Sequence, residues 1–118
     1  MRFDLRQYFT LARELASHPD NEAAMRSAIS RAYYAAYNTA ARHKGTRGVA
    51  ATREGSHRGV WEELRRSGNI DWRRAGNKGR DFLELRRAAD YEDEVSNLRN
   101  GMYGALNTAD EILRLLNA

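Results

Sequence analysis

Arg86, Asp90 and Tyr91 lie close together in the run Leu85-Arg86-Arg87-Ala88-Ala89-Asp90-Tyr91. Arginine offers a planar fork of donors that keeps its charge and suits a phosphate. A carboxylate one helical turn further on shares its face and can orient it. A tyrosine phenol can hydrogen-bond a phosphate but is a poor base at neutral pH, with a pKa of ~10. An earlier run, Ser30-Arg31-Ala32-Tyr33-Tyr34-Ala35-Ala36-Tyr37, carries a matching mixture. There Arg31 and Tyr34 share a helix face and offer a second contact for an anion. Two helices bearing cations and phenols point to a polar site between helices, which an apolar core would not need.

Histidine would add proton transfer. Cutting RNA without a metal requires a proton taken from the 2′-hydroxyl, a proton given to the leaving 5′-oxygen, and donors for the charged phosphate. Of His18, His43 and His57, only His57 lies in a run that resembles a motif. It is the candidate proton carrier because imidazole titrates near neutral pH. His18 and His43 fall at helix ends, where the helix dipole favours the protonated ring, and are given no role. No pair of histidines has the spacing of a metal site, and the chain has no Cys. Thiolate zinc sites and disulfides are thereby excluded, and neither a metal nor a cofactor is expected.

Each of these residues also has a plainer explanation. Arg86 and Asp90 can form an ordinary intrahelical ion pair worth a few tenths of a kcal/mol, roughly. Tyr33 and Tyr37 fit a core stripe. His57 can be a first-turn residue beside a Ser56 cap.

The elements that must position these groups are helices. The chain has 118 residues, one Pro, and 42% hydrophobic and 31% charged residues, a length and composition suited to one all-α domain over residues 1–118. No stretch alternates at period two. Leu5, Tyr8, Phe9, Ala12, Leu15 and Ala16 predict a first helix from Asp4 to Ser17, stopped at His18-Pro19. Asn21 caps a second helix that ends near Arg42 or His43, with Gly45 as its stop. Its small residues Ala24, Ala28, Ala32, Ala35, Ala36 and Ala40 make it the central one, because they let neighbours approach closely. Lys44 to Gly55 reads as a mobile loop. A third helix, capped by Ser56, carries Val60, Trp61 and Leu64 and closes at Ser67-Gly68-Asn69. Ile70 to Lys78 is ambiguous, since Gly76 and Gly79 suggest a break, and a fourth helix is expected from about Asp81 to Tyr91. The last helix should run from about Glu92 to Leu116, through Val95, Leu98, Met102, Ala105, Ala109 and Ile112. The expected fold is an antiparallel bundle of four to five helices.

No apolar run is long enough for a membrane span, and Met1-Arg2-Phe3-Asp4 passes directly into charged helix. A cytoplasmic location follows as the expectation. The net charge is +4. It favours anionic partners such as RNA or nucleotides, and equally describes a soluble, arginine-rich surface. Arg47, Arg53, Arg58, Arg65, Arg66, Arg73, Arg74, Lys78 and Arg80 concentrate that charge in the middle of the chain. Trp61 and Trp72 are interleaved with them, either to stack bases or to pack in the bundle.

The run Ser30 to Ala40 resembles the central helix of HEPN domains, the higher-eukaryote and prokaryote nucleotide-binding family. Ser56-His57-Arg58-Gly59-Val60 resembles the short His-Arg or His-Lys segment of a branch of small proteins. Leu85 to Glu92 resembles the Arg-x-x-Ala-Asp-Tyr signature of the same branch. The resemblance implies an antiparallel bundle that often dimerises, and one of two roles. Many such proteins are metal-independent endoribonucleases acting as toxins or in defence. Others are non-catalytic modules that bind nucleotide or RNA, and small bacterial members often accompany a minimal nucleotidyltransferase. Active members carry an arginine followed a few residues later by a histidine. Here Arg86 is followed at that spacing by Tyr91, Arg99 by Tyr103 and Gly104, and no His lies beyond His57. The binding module is therefore the first expectation, using Arg31, Tyr34, Arg58 and Asp90. A ribonuclease using Arg86, His57 and Tyr91 is the alternative, and a structural helical dimer is the third reading.

Overall fold

The computed structural model describes residues 3–42 and 56–116. Among these residues there are five helices and no strand: α1 (Arg6–Ala16), α2 (Glu22–Arg42), α3 (Ser56–Arg65), α4 (Ile70–Tyr91) and α5 (Leu98–Leu115). The chain is an all-α bundle, as its composition predicts. The expected loop over residues 44–55, the stop at Gly45 and any place for His43 lie outside the described residues.

Local chemistry sets the helix starts. The Asp4 carboxylate accepts from the Arg6 N–H at 3.0 Å, and the Asn21 side chain accepts from the Ala24 N–H at 3.0 Å. The Asn69 side chain does the same for Asp71 and Trp72, at 2.9 and 3.2 Å. Each occupies a donor that the first turn leaves without an intrahelical partner.

The second helix is the axis of the bundle and touches all four others. Ala24, Ala28, Ala32, Ala35, Ala36 and Ala40 are all buried along it. Their small size lets α1, α4 and α5 close on several of its sides at once. The core joins these alanines to Ile29 and Tyr33 of α2, Val60, Trp61 and Leu64 of α3, Phe82 and Leu83 of α4, and Met102 and Ile112 of α5.

Two helix boundaries depart from the sequence expectation. Helix α4 is continuous from Ile70, so it starts well before Asp81 and passes through Gly76 and Gly79 without a break. The glycines serve packing. A Cβ on Gly76 would lie 2.7 Å from the Trp61 carbonyl oxygen and the Arg65 nitrogen, and one on Gly79 would overlap the Trp61 ring. Two hydrogens in place of methyl groups allow α3 to lay its indole against the α4 backbone. The cost in helix propensity is about 1 kcal/mol per glycine. Helix α5 begins at Leu98 and not at Glu92. Glu92 takes an extended conformation (ψ 137°) at the end of α4, and Asn97 sits in the left-handed region with φ 54°, which Asn tolerates better than most side chains.

This packing predicts opposite outcomes for two matched substitutions. Gly79→Ala should cost about 1–3 kcal/mol through overpacking against Trp61. Gly104→Ala, on α5 with open space around it, should gain about 0.5–1 kcal/mol from helix propensity. Urea denaturation of both variants reads the difference, and equal effects would refute the packing role of Gly79.

Candidate functional site

The aromatic cluster begins with Tyr33, which is fully buried at the middle of α2. Its ring meets Tyr34, Tyr37, His57, Trp61 and Phe82, with centroid separations between 5.3 and 6.2 Å. A phenol placed so deep needs hydrogen-bond partners. The Trp61 indole N–H donates to its oxygen at 3.0 Å, and the oxygen lies 2.9 Å from His57 Nδ1. Indole can only donate, so the phenol oxygen is the acceptor in that bond, and the direction of the second bond follows the tautomer of His57. The His57 ring also stacks on Tyr37 at 3.9 Å, with planes 14° apart. Burial pushes the Tyr33 phenol well above its ordinary value of 10.0, against the opposing pull of the Trp61 hydrogen bond and the Arg86 charge.

Arg86 approaches the same cluster from α4 and is only 7% exposed. Its guanidinium carbon lies 5.3 Å from the centre of the Tyr33 ring and 5.6 Å from that of Tyr34. The ring faces supply negative quadrupole charge. One Nη donates to Asp90 at 3.4 Å, while the buried Nε has no hydrogen-bond partner among the described residues. Asp90 also accepts from the Ser30 hydroxyl at 3.4 Å. Arg31 reaches the Ser30 oxygen at 3.5 Å and packs its guanidinium over Tyr8 and Tyr34, 5.5 and 5.1 Å from their centres. Among the described residues no carboxylate pairs with Arg31.

Asp90, Ser30, Arg31 and Tyr34 line an open groove of about 490 Å³ together with Ala23, Arg26, Ser27 and Ala89; Arg86 is not among its lining residues and adjoins it through Asp90. The structure thus brings together Arg86, Asp90, Arg31, Tyr34 and, across Tyr33, His57. It does not bring Tyr91 or Arg58 to them. Tyr91 is 76% exposed at the end of α4. Arg58 lines a second groove, between α3 and α4, with Arg65, Arg80, Glu62, Asp81 and Glu84. Trp61 is enclosed in the core, so it is not a base-stacking platform, and Trp72 is half-buried. Lys78 of the basic middle segment is held by Glu111 at 2.8 Å.

Arg26 is a residue whose part sequence reasoning missed. Its guanidinium donates to the backbone carbonyls of Ala89, Glu92 and Asp93 and pairs with Glu22 at 3.0 Å. It clasps the end of α4 to α2 and so fixes where Asp90 projects. The only local signal was the Glu22–Arg26 spacing, which says nothing about carbonyls more than sixty residues away. No group of three His, Asp or Glu side chains among the described residues is placed to hold a metal ion. No helix among them is long and apolar enough to cross a membrane.

No family model, curated protein or solved structure matches the chain.

The Tyr33 network predicts an alkaline limb in stability. The unfolded phenol ionises near 10.0, whereas the folded one holds its proton more tightly. The unfolded chain therefore binds fewer protons once pH passes that value. Stability is full below it and falls as pH rises, with a slope approaching about 1.4 kcal/mol per pH unit. Tyr33→Phe should cost about 1–3 kcal/mol at neutral pH by stranding the Trp61 N–H, and should flatten the alkaline limb. Denaturation curves from pH 7 to 11 test both, and an unchanged limb would exclude Tyr33 as its source.

Proposed function

We propose that the chain is a HEPN-like module that binds nucleotide or RNA, with a ligand phosphate held in the groove between α2 and α4. The observation that carries this reading is Arg86. A buried guanidinium with a bare Nε and one long bond to a carboxylate is expensive to keep for stability alone. It is well suited to an anion that arrives from outside. Arg31, Ser27 and Ser30 line the groove beside Asp90, and so does Tyr34, whose phenol can hydrogen-bond a phosphate. The net charge of +4 favours approach of a polyanion. On this reading the protein acts as a cytoplasmic homodimer in a toxin–antitoxin or defence pair with a nucleotidyltransferase.

The ribonuclease reading draws on a separate fact: His57 and Arg86 flank the same Tyr33–Tyr34 pair. Its difficulty is that His57 Nδ1 is already engaged by the Tyr33 hydroxyl at 2.9 Å, so proton transfer to a substrate would fall to Nε2.

Labelled single-stranded RNA incubated with chelator separates the two. Binding without cleavage is the expected outcome. Arg31→Ala should weaken binding on the order of tenfold and reduce the salt slope by about one. Chelator-resistant cleavage that disappears in both Arg86→Ala and His57→Ala would establish the ribonuclease instead. Absence of both binding and cleavage would overturn both readings.

A further inference from the structure

We propose that Asp90 caps the anion site from within: its carboxylate occupies the place of the ligand's phosphate, and the phosphate binds by displacing it. The inference rests on the binding function proposed above and adds how the site is regulated.

Three observations carry it. First, the carboxylate stands where an incoming anion would stand, between the Arg86 guanidinium and the Ser30 hydroxyl, at the edge of the groove. Second, it is held loosely. Both contacts are 3.4 Å, at the far end of the hydrogen-bond range, whereas charge-assisted pairs close to about 2.7–2.9 Å. A single oxygen meets a single Nη, and Nε has no hydrogen-bond partner among the described residues. The planar fork of arginine is matched better by a group with several oxygens arranged around one centre, which is what a phosphate supplies. Third, Asp90 has somewhere to go. Its side chain is 25% exposed, against 8% for that of Arg86, and it lies in the last turn of α4. A change of its rotamer can turn the carboxylate into water without disturbing the core. The Arg86 side chain, packed on two rings, cannot follow.

The groups around the carboxylate favour exchange over simple loss. Arg31 and Ser30 would both meet the incoming phosphate. Arg26 would not, because its donors already serve the carbonyls of Ala89, Glu92 and Asp93. The clasp it forms keeps the backbone under Asp90 still while the side chain moves. Capping of this kind would restrain binding of weak, singly charged anions and admit a phosphate group, whether free, on a nucleotide or in an RNA backbone.

The test measures dissociation constants of the full chain for inorganic phosphate, AMP and a short oligouridylate at one fixed ionic strength. Wild type, Asp90→Asn and the double variant Asp90→Asn/Arg86→Gln are compared, each checked for helical content. The expected result is that Asp90→Asn binds on the order of tenfold more tightly than wild type and that the double variant loses the gain. The three probes identify the source: a gain confined to the oligonucleotide assigns an RNA backbone, and a gain shared by all three assigns a phosphate group alone. Equal or weaker binding by Asp90→Asn, with wild type binding, overturns the capping role and leaves the anion site standing. No binding by either protein overturns the site itself. If Asp90→Asn does not fold, carboxyl ¹³C NMR of wild type replaces it. Phosphate should then shift the Asp90 signal and leave Asp110, paired with Arg114 on α5, unmoved. An unmoved Asp90 signal at saturating phosphate refutes displacement.

Discussion

A single buried phenol is the constraint around which this bundle is arranged. Tyr33 needs hydrogen-bond partners for its hydroxyl and a set of apolar walls, all in the middle of a long helix. Helix α3 supplies both hydrogen-bond partners, Trp61 Nε1–H and His57 Nδ1, and α4 supplies Phe82 and the Arg86 cation against the ring. Satisfying one hydroxyl thus sets the position of α3 on α2 and α4. The glycines of α4 follow from the same demand, since the indole that donates to Tyr33 must pass close to the α4 backbone. A buried polar group without these partners would cost about 1–3 kcal/mol, a large share of the stability of a domain this small.

The same arrangement explains why a charge can be kept beside the core. The rings of Tyr33 and Tyr34 offer the Arg86 guanidinium two faces, and Asp90 offers it a partial counter-charge. Neither completes its hydrogen bonding. The fold therefore supports the cation sterically while leaving its hydrogen bonding incomplete among the described residues. Arg26 has the opposite character: it is surrounded by acceptors and holds the chain in place.

Much of this was legible in the residues. The alanine ladder of α2, the Asn21 cap and the amphipathic spacing of α5 follow from local rules and hold in the structure. So does the convergence of Arg86 and Asp90 with Arg31 and Tyr34, read from two runs of similar composition. What local rules could not supply was anything decided by a distant partner. Gly76 and Gly79 read as breakers because their reason, the Trp61 ring, lies on another helix. Glu92 to Ser96 read as helix because the Arg26 clasp and the left-handed Asn97 interrupt a pattern whose apolar residue Val95 still packs on the core. The hydrogen bond of His57 was illegible for the same cause, since its Nδ1 partner is a tyrosine on α2.

The central claim is that Arg86 is retained for an external anion and not for the fold. Arg86→Met tests it most directly, with stability in urea and RNA affinity measured on the same preparation. A methionine fills a similar volume against the two tyrosine rings, removes the under-paired charge, and leaves Asp90 free to turn to solvent. The account predicts stability equal to or above that of wild type, with RNA binding lost. A variant destabilised by more than about 3 kcal/mol that still binds RNA as wild type does would contradict it.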